Sequence, residues 1–301
     1  MPFGHEEAER AAELLRADPD FRVLRRIAFG EAPVVLEAGV GQRTHVGAAL
    51  DVETTGLDVR RDRIIELAVR RFRYDDRGRI VRLGRMMAWR EDPGVPIPAD
   101  VSALTGIFDA DVAGCEIDGV TVSELLRSCQ AVISHNASFD RPFVERRLPE
   151  VAGLDWGCTV SDLDWRARGF EGRALGWLSA QCGRFYDAHR AAGDVDALVA
   201  LLGHTFDDGT TVLSAVLEGM SRMGWKVSAQ GAGYAARDAL KARRYRWDAA
   251  RSEWWREVAD AELESERQWL ADAVYAPGLG ARHQGPRIEA ISSGNRHGLL
   301  Q

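Results

Sequence analysis

Ala48-Ala49-Leu50-Asp51-Val52-Glu53-Thr54-Thr55-Gly56 is a short apolar run closed by two acids one residue apart and followed by turn-forming residues. Successive side chains of a strand point to opposite faces, so Asp51 and Glu53 share one face of a strand end, and the backbone turns away just beyond them. Two carboxylates placed so can hold a divalent cation beside a phosphate. They can equally be a solvated surface pair, and what decides between the readings lies further along the chain.

The apolar run Ala131-Val132-Ile133 leads into His135-Asn136-Ala137-Ser138-Phe139-Asp140, and Arg141-Pro142-Phe143 continues as a helix. Asp140 thus falls where a strand gives way to a helix, a common place for functional residues in α/β domains; a helix N-cap is the competing reading. Downstream, His189-Arg190-Ala191-Ala192-Gly193-Asp194 precedes Val195 to Leu202, whose apolar spacing is that of an amphipathic helix. Asp194 would open that helix, with His189 in the loop before it.

Together, DVETTG (51–56), HNASFD (135–140) and HRAAGD (189–194) resemble the three exonuclease motifs of the DnaQ-like, DEDDh family of 3′-to-5′ exonucleases. The resemblance spans roughly Ala48 to Leu202. It implies an α/β, ribonuclease-H-like exonuclease domain with a mixed central sheet flanked by helices. It also implies hydrolysis assisted by two divalent ions, Mg2+ or Mn2+, since two cations can offset charge on both the attacking and the leaving oxygen. Carboxylates suit hard cations of this kind. By resemblance, Asp51 bridges the two ions, Glu53 and Asp194 hold the one that activates water, Asp140 acts through bound waters, and His189 is the general base, as imidazole titrates near neutrality. The same resemblance sets Thr54, Thr55, Gly56 and Leu57, the run Leu104-Thr105-Gly106-Ile107, and His135, Asn136 and Phe139 near the terminal nucleotide. Thr54 to Gly56 also read simply as the turn leaving the strand, Phe139 reads first as a core residue, and Glu66 is a fifth acid or, preferably, a structural one.

The rest of the composition sets bounds. In 301 residues, 46% are apolar, and no window is apolar for long enough to span a membrane. The polar start Met1 to Glu7 lacks a signal-peptide pattern, which makes a cytoplasmic protein the expectation. Cys115, Cys129, Cys158 and Cys182 are scattered without a Cys-x-x-Cys pair, so neither zinc nor a disulfide framework is expected. The net charge of −7 sits awkwardly with a phosphate-rich partner, but a metal nuclease concentrates acids at its site and lets the cations meet the phosphate.

The expected organisation is an N-terminal helical arm (1–45), the exonuclease domain (46–206), a connecting helix (207–222) and a small α+β module (223–301). The arm contains a helix from Glu6 to Arg16. Three strands are expected at Ala48–Glu53, Ile64–Tyr74 and Ile80–Trp89, the last two joined by a turn at Asp75-Asp76-Arg77-Gly78. Helices follow near Asp100, at Val122–Ser128 and at Gly172–Cys182. In the last part, Tyr234 to Arg256 carries a net charge of +4 with Tyr245, Trp247, Trp254 and Trp255 interleaved. The spacing predicts a helix at Ala235–Arg244, a strand pair around Asp248-Ala249-Ala250, a helix at Asp260–Tyr275 and a strand at Arg287–Ile291. Basic residues among aromatics suit single-stranded nucleic acid, and the same tryptophans could be the core of a small module. A chain cut after Thr211 would separate the two readings.

The functional expectation is an enzyme removing nucleoside monophosphates from DNA 3′ ends, mostly single-stranded, in proofreading, repair or turnover. RNA or short oligonucleotides as substrate, or a DNA-binding, polymerase-associated module with weak nuclease activity, are the alternatives. Gln268-Trp269-Leu270 lies inside an expected helix and makes a poor sliding-clamp peptide, so a free-standing enzyme is favoured over a polymerase subunit.

Overall fold

The computed structural model describes residues 4–36, 43–249, 251–282 and 285–298. Parts of the expected arm (1–3 and 37–42) and Ala250 of the expected turn lie outside them. The chain divides into two compact units, residues 1–220 with 297–301, and residues 221–296. Among the described residues, no helix is long and apolar enough to cross a membrane.

The first unit runs α1 (His5–Arg16), β1 (Arg25–Arg26), β2 (Val34–Val35), β3 (Thr44–Thr54), β4 (Ile64–Asp75), β5 (Ile80–Arg90), α2 (Ala99–Thr105), α3 (Asp109–Val112), α4 (Gly119–Arg127), β6 (Ala131–Ser134), α5 (Ala137–Arg147), β7 (Trp156–Cys158), α6 (Leu175–Gln181), β8 (Arg184–Phe185), α7 (Ala191–Leu202) and α8 (Val212–Ser221). Its main sheet has the order β2-β5-β4-β3-β6-β7. The pairs from β2 to β3 are antiparallel, while β3–β6 and β6–β7 are parallel. This mixed sheet is the ribonuclease-H-like order expected from sequence.

The strand period of two sorts β3 between two cores. Ala48, Leu50 and Val52 pack with Val122, Leu126, Phe143 and Val144 of α4 and α5. Ala49 points the other way, toward Ala191, Val195 and Leu198 of α7. Asp51 and Glu53 share the parity of Ala49, so the fold aims them at the helix that carries Asp194.

An ion pair fixes α7 on that face. Arg70 of β4 is fully buried, donates to Asp196 of α7 at 2.7 Å, to the Gly84 and Ala32 carbonyls at 3.1 and 3.0 Å, and lies over the Phe29 ring. Breaking a buried pair from one side leaves a charge without its partner and costs about 3–5 kcal/mol. Asp196→Ala is therefore expected to lower stability by about that amount in denaturant unfolding; a loss below about 1 kcal/mol would mean that the two remaining carbonyl acceptors suffice.

Three details depart from the sequence reading. Ile27, Phe29 and Val34 of the expected arm pack on the main core, and β2 forms the sheet edge beside β5, so this stretch is integral to the unit. The helix expected from Gly172 begins at Leu175, because Gly172 has a left-handed φ of 68° that no α-helix continues through. Third, α8 buries Val212, Leu213, Val216 and Met220 in the core of the first unit, and a Cβ at Gly219 would fall 2.0 Å from the Asp162 carbonyl. A cut after Thr211 would strip that core; a cut after Met220 follows the unit boundary.

The second unit contains β9 (Gly224–Ala229), α9 (Arg237–Ala242), β10 (Arg246–Asp248), β11 (Glu253–Ala259), α10 (Leu263–Ala273) and β12 (Arg287–Ile291). Its antiparallel sheet has the order β10-β11-β9-β12. Val227, Ala229, Leu240, Tyr245, Val258 and Leu270 form its core. Strand β9, central in this sheet, was absent from the sequence reading, although Trp225, Val227 and Ala229 alternate there with polar residues. The expected helix Ala235–Arg244 is a 3-10 turn at Tyr234–Ala236 followed by α9, and the expected Asp260–Tyr275 likewise begins as a 3-10 turn before α10.

Candidate active site

At the end of β3 the pairing with β4 shifts register between Glu53 and Thr54, an irregularity of the kind that re-aims side chains beside functional sites. Asp194 enters from the first turn of α7. Carboxylate oxygens of Asp51, Glu53 and Asp194 all lie within 4.8 Å of one another. Asp140 stands behind them in the first turn of α5, where the N-cap position belongs to Asn136. It is buried and accepts the Val52 N–H at 3.1 Å, so it caps the backbone between the two strand acids.

This crowding is unfavourable for bare carboxylates. Burial, and then the charges of Asp140, Asp194 and Glu53, hold the Asp51 carboxyl well above its usual range. Burial, with Asp194 and Glu66 nearby, pushes Glu53 up to about 7, while Arg190 works against the shift. Burial raises Asp194 too, opposed by the hydrogen bonds that it accepts, and burial raises Asp140. Each shift says that the folded protein prefers to place a positive charge, proton or cation, among these oxygens. The donor set consists of oxygens alone, which suits a hard divalent cation.

Asp194 is held from three sides. The Tyr186 hydroxyl donates to it at 2.7 Å, and the backbone N–H groups of His189 and Arg190 donate at 2.9 and 3.2 Å. His189 has a left-handed φ of 66°, uncommon for a residue with a Cβ; its N–H is thereby turned onto Asp194 and its side chain is left exposed. Glu66 is occupied elsewhere. It accepts from Arg190 Nε and Nη2 at 3.3 and 2.9 Å and from the Ala191 N–H at 3.0 Å, anchoring the start of α7 to β4.

The remaining sequence candidates fall into two groups. Thr54, Thr55 and Gly56 form a closed turn: Thr54 Oγ1 donates to the Gly56 carbonyl at 2.6 Å, Thr55 Oγ1 donates to Asp62 at 3.2 Å, and a Cβ at Gly56 would meet Asp62 at 2.6 Å. Thr105 is buried and bonds within its own helix end. Phe139 packs beside Phe143 on the second core, their centroids 5.1 Å apart. Leu57, Leu104 and Asn136, by contrast, are exposed. His135 pairs Nδ1 with Thr159 Oγ1 at 2.8 Å, and burial lowers its pKa to about 4, which keeps it neutral near pH 7.

Tyr186 and Arg190 were not singled out from sequence. Arg190 sits inside the third motif, next to His189. Tyr186 offered no motif signal; only its distance of eight residues from Asp194, across a short loop, could have drawn notice.

The chain is similar to several known proteins. The family model described as exonuclease, of the RNase T type, matches residues 48–202. The DNA polymerase III subunit epsilon of Treponema pallidum (strain Nichols) is 36% identical over 106 residues, 33% of this chain and 45% of that one. A PolC-type DNA polymerase III of Streptococcus suis is 33% identical over 133 residues, 42% of this chain and 8% of that one. The chain thus spans less than half the length of these relatives. Among solved structures, exonuclease X in complex with 5′ overhanging duplex DNA is 24% identical, with 56% of this chain and 99% of that one covered at a TM-score of 0.39. With the motifs, the mixed sheet and a match across half its length, the chain belongs to the RNase T-type exonuclease family.

Proposed function

We propose that the protein is a metal-dependent 3′-to-5′ exonuclease that removes nucleoside monophosphates from DNA, with Asp51, Glu53 and Asp194 holding two Mg2+ or Mn2+ ions and Asp140 in support. The observation that carries this reading is the convergence of three carboxylates from β3 and α7 within 4.8 Å. Cations bound there supply the positive charge that offsets the negative charge gathering on the attacking and leaving oxygens. Asp51 and Glu53 place that charge at the strand end, beside the Thr54–Gly56 turn. His189, exposed next to Asp194, takes the proton of the attacking water. Exposed Leu57 and Leu104 give the terminal nucleotide apolar contact. The relatedness to polymerase III subunits supports DNA over RNA.

Tyr186 is a positioning residue in this account, since its hydroxyl orients the Asp194 carboxylate. Partners of this kind tune a metal site by about 10- to 100-fold. Tyr186→Phe is expected to weaken Mn2+ binding by about 10-fold in calorimetric titration; unchanged affinity would leave the tyrosine without a role at the site.

Substrate choice is tested with single-stranded DNA and RNA of matched sequence, each labelled at its 5′ end and incubated with Mg2+, Mn2+ or chelator beside an Asp51→Ala control. A metal-dependent ladder shortening from the 3′ end of DNA is expected. Preference for RNA would replace the substrate, and no cleavage of either would overturn the nuclease reading.

A further inference from the structure

Basic residues outnumber acidic ones in residues 221–296, although the whole chain carries a net charge of −7. Their arrangement is specific. Glu266 of α10 is buried, and its carboxylate takes Arg243 at 3.0 Å, Arg256 at 3.3 Å and the Tyr245 hydroxyl at 2.9 Å. The Arg243 guanidinium lies 4.7 Å from the Trp269 ring centroid, and the Tyr245 and Trp269 rings are stacked. One buried acid therefore fixes two guanidiniums and a tyrosine around an indole.

Above this layer is an open hollow of about 570 Å³, lined by Arg243, Arg244, Arg256, Trp269 and the small residues Ala239 and Ala242. Arg244, unlike its two neighbours in the lining, has no ion pair among the described residues, and it is exposed. Its φ of 67° is left-handed. Arginine there is strained where glycine would not be, and it turns a free cation outward between the inward-facing Arg243 and Tyr245. Lys241, exposed on the last turn of α9, and Trp247, half exposed on the edge strand β10 against Trp254, border the same stretch.

We infer that this hollow binds one nucleotide unit of a single-stranded nucleic acid, with Arg244 on the phosphate and the base against the Arg243–Trp269 layer. Cations beside flat π surfaces match an unstacked nucleotide, whose backbone is anionic and whose base has two faces. A paired base in a duplex offers no free face to such a hollow, and an acidic peptide has no ring to stack. The inference deepens the nuclease reading, on which its biological sense rests: a tethered second site raises the local concentration of a strand near the chain that degrades it.

The test uses binding, so that it stands apart from hydrolysis. The full-length Asp51→Ala protein, in chelator, is titrated into a fluorescently labelled oligothymidylate at several salt concentrations, alone and with Arg244→Gly added. Glycine suits the left-handed backbone, so the second variant keeps the fold while losing the cation. Expected is a 5- to 10-fold weaker affinity at low salt and a shallower salt dependence, each lost phosphate contact removing about 0.7 from the slope for single strands. Unlabelled single strand should compete, and blunt duplex or polyglutamate should not. Equal affinity and slope in the two proteins, or equal competition by duplex or polyglutamate, would overturn the inference. Binding that obeys it, together with no cleavage by the parent protein in Mg2+ or Mn2+, would leave the hollow standing and remove the nuclease reading instead.

Discussion

Asp51→Asn is expected to lower 3′-end hydrolysis by about 1,000-fold or more, since groups that act as one catalytic unit fail together when any is removed. The same substitution is expected to raise the melting temperature of the metal-free protein at pH 8. Asp51 is half-buried beside Asp140, Asp194 and Glu53, and these charges oppose its ionisation. An amide of the same shape removes the charge and keeps the packing. Few inactivating substitutions stabilise a fold, so the combination distinguishes a site strained by like charge from one in which Asp51 merely supports the strand end. Activity retained within a few-fold of the parent would contradict the assignment, and a lower melting temperature would contradict the electrostatic account.

The second large effect is a pH dependence of metal-free stability. Burial raises the carboxyls of Asp51, Glu53, Asp140 and Asp194, and neighbouring acids add to the shift for the first three, taking Glu53 to about 7. Between the unfolded carboxylate range near pH 4 and these raised values, the folded state binds more protons than the unfolded chain, so stability falls as pH rises through that window. Metal-free protein is therefore expected to melt higher at pH 5 than at pH 8. Cations compete with the same protons, so added Mn2+ should raise the melting temperature more at pH 8 than at pH 5. A melting temperature that climbs from pH 5 to pH 8 in chelator would show that the acids are not strained in the way described.

Much of this was legible in the sequence because it depends on parity and order. Alternation alone puts Asp51 and Glu53 on one strand face, and three motifs in sequence bring strand, helix and second helix to one sheet. The turn at Asp75 to Gly78 could also be read, since Asp75 accepts the Arg77 and Arg79 N–H groups, each at 2.9 Å. What sequence did not show depends on contacts across long separations. Glu66 reads from sequence as structural rather than as a fifth acid of the site, but nothing local says that its partner is Arg190, 124 residues away. Tyr186 had no motif to mark it, and only the folded chain brings its hydroxyl within 2.7 Å of Asp194. At Thr54 and Thr55 the resemblance marks the backbone, while their side chains bond within the turn, as the turn reading of the same residues expects. In the second unit, a buried Lys226 and Ser228 disguised the central strand β9, since polar residues at alternate positions suggest a solvated face.

In the proposed function, Asp51, Glu53 and Asp194 form a metal centre at which a DNA 3′ end is hydrolysed. Anomalous diffraction from crystals grown with Mn2+ tests it most directly. Manganese peaks liganded by carboxylate oxygens of all three residues, and lost in Asp51→Asn, are the predicted result. Crystals of protein that hydrolyses DNA with Mn2+ yet shows no manganese among these carboxylates would contradict it.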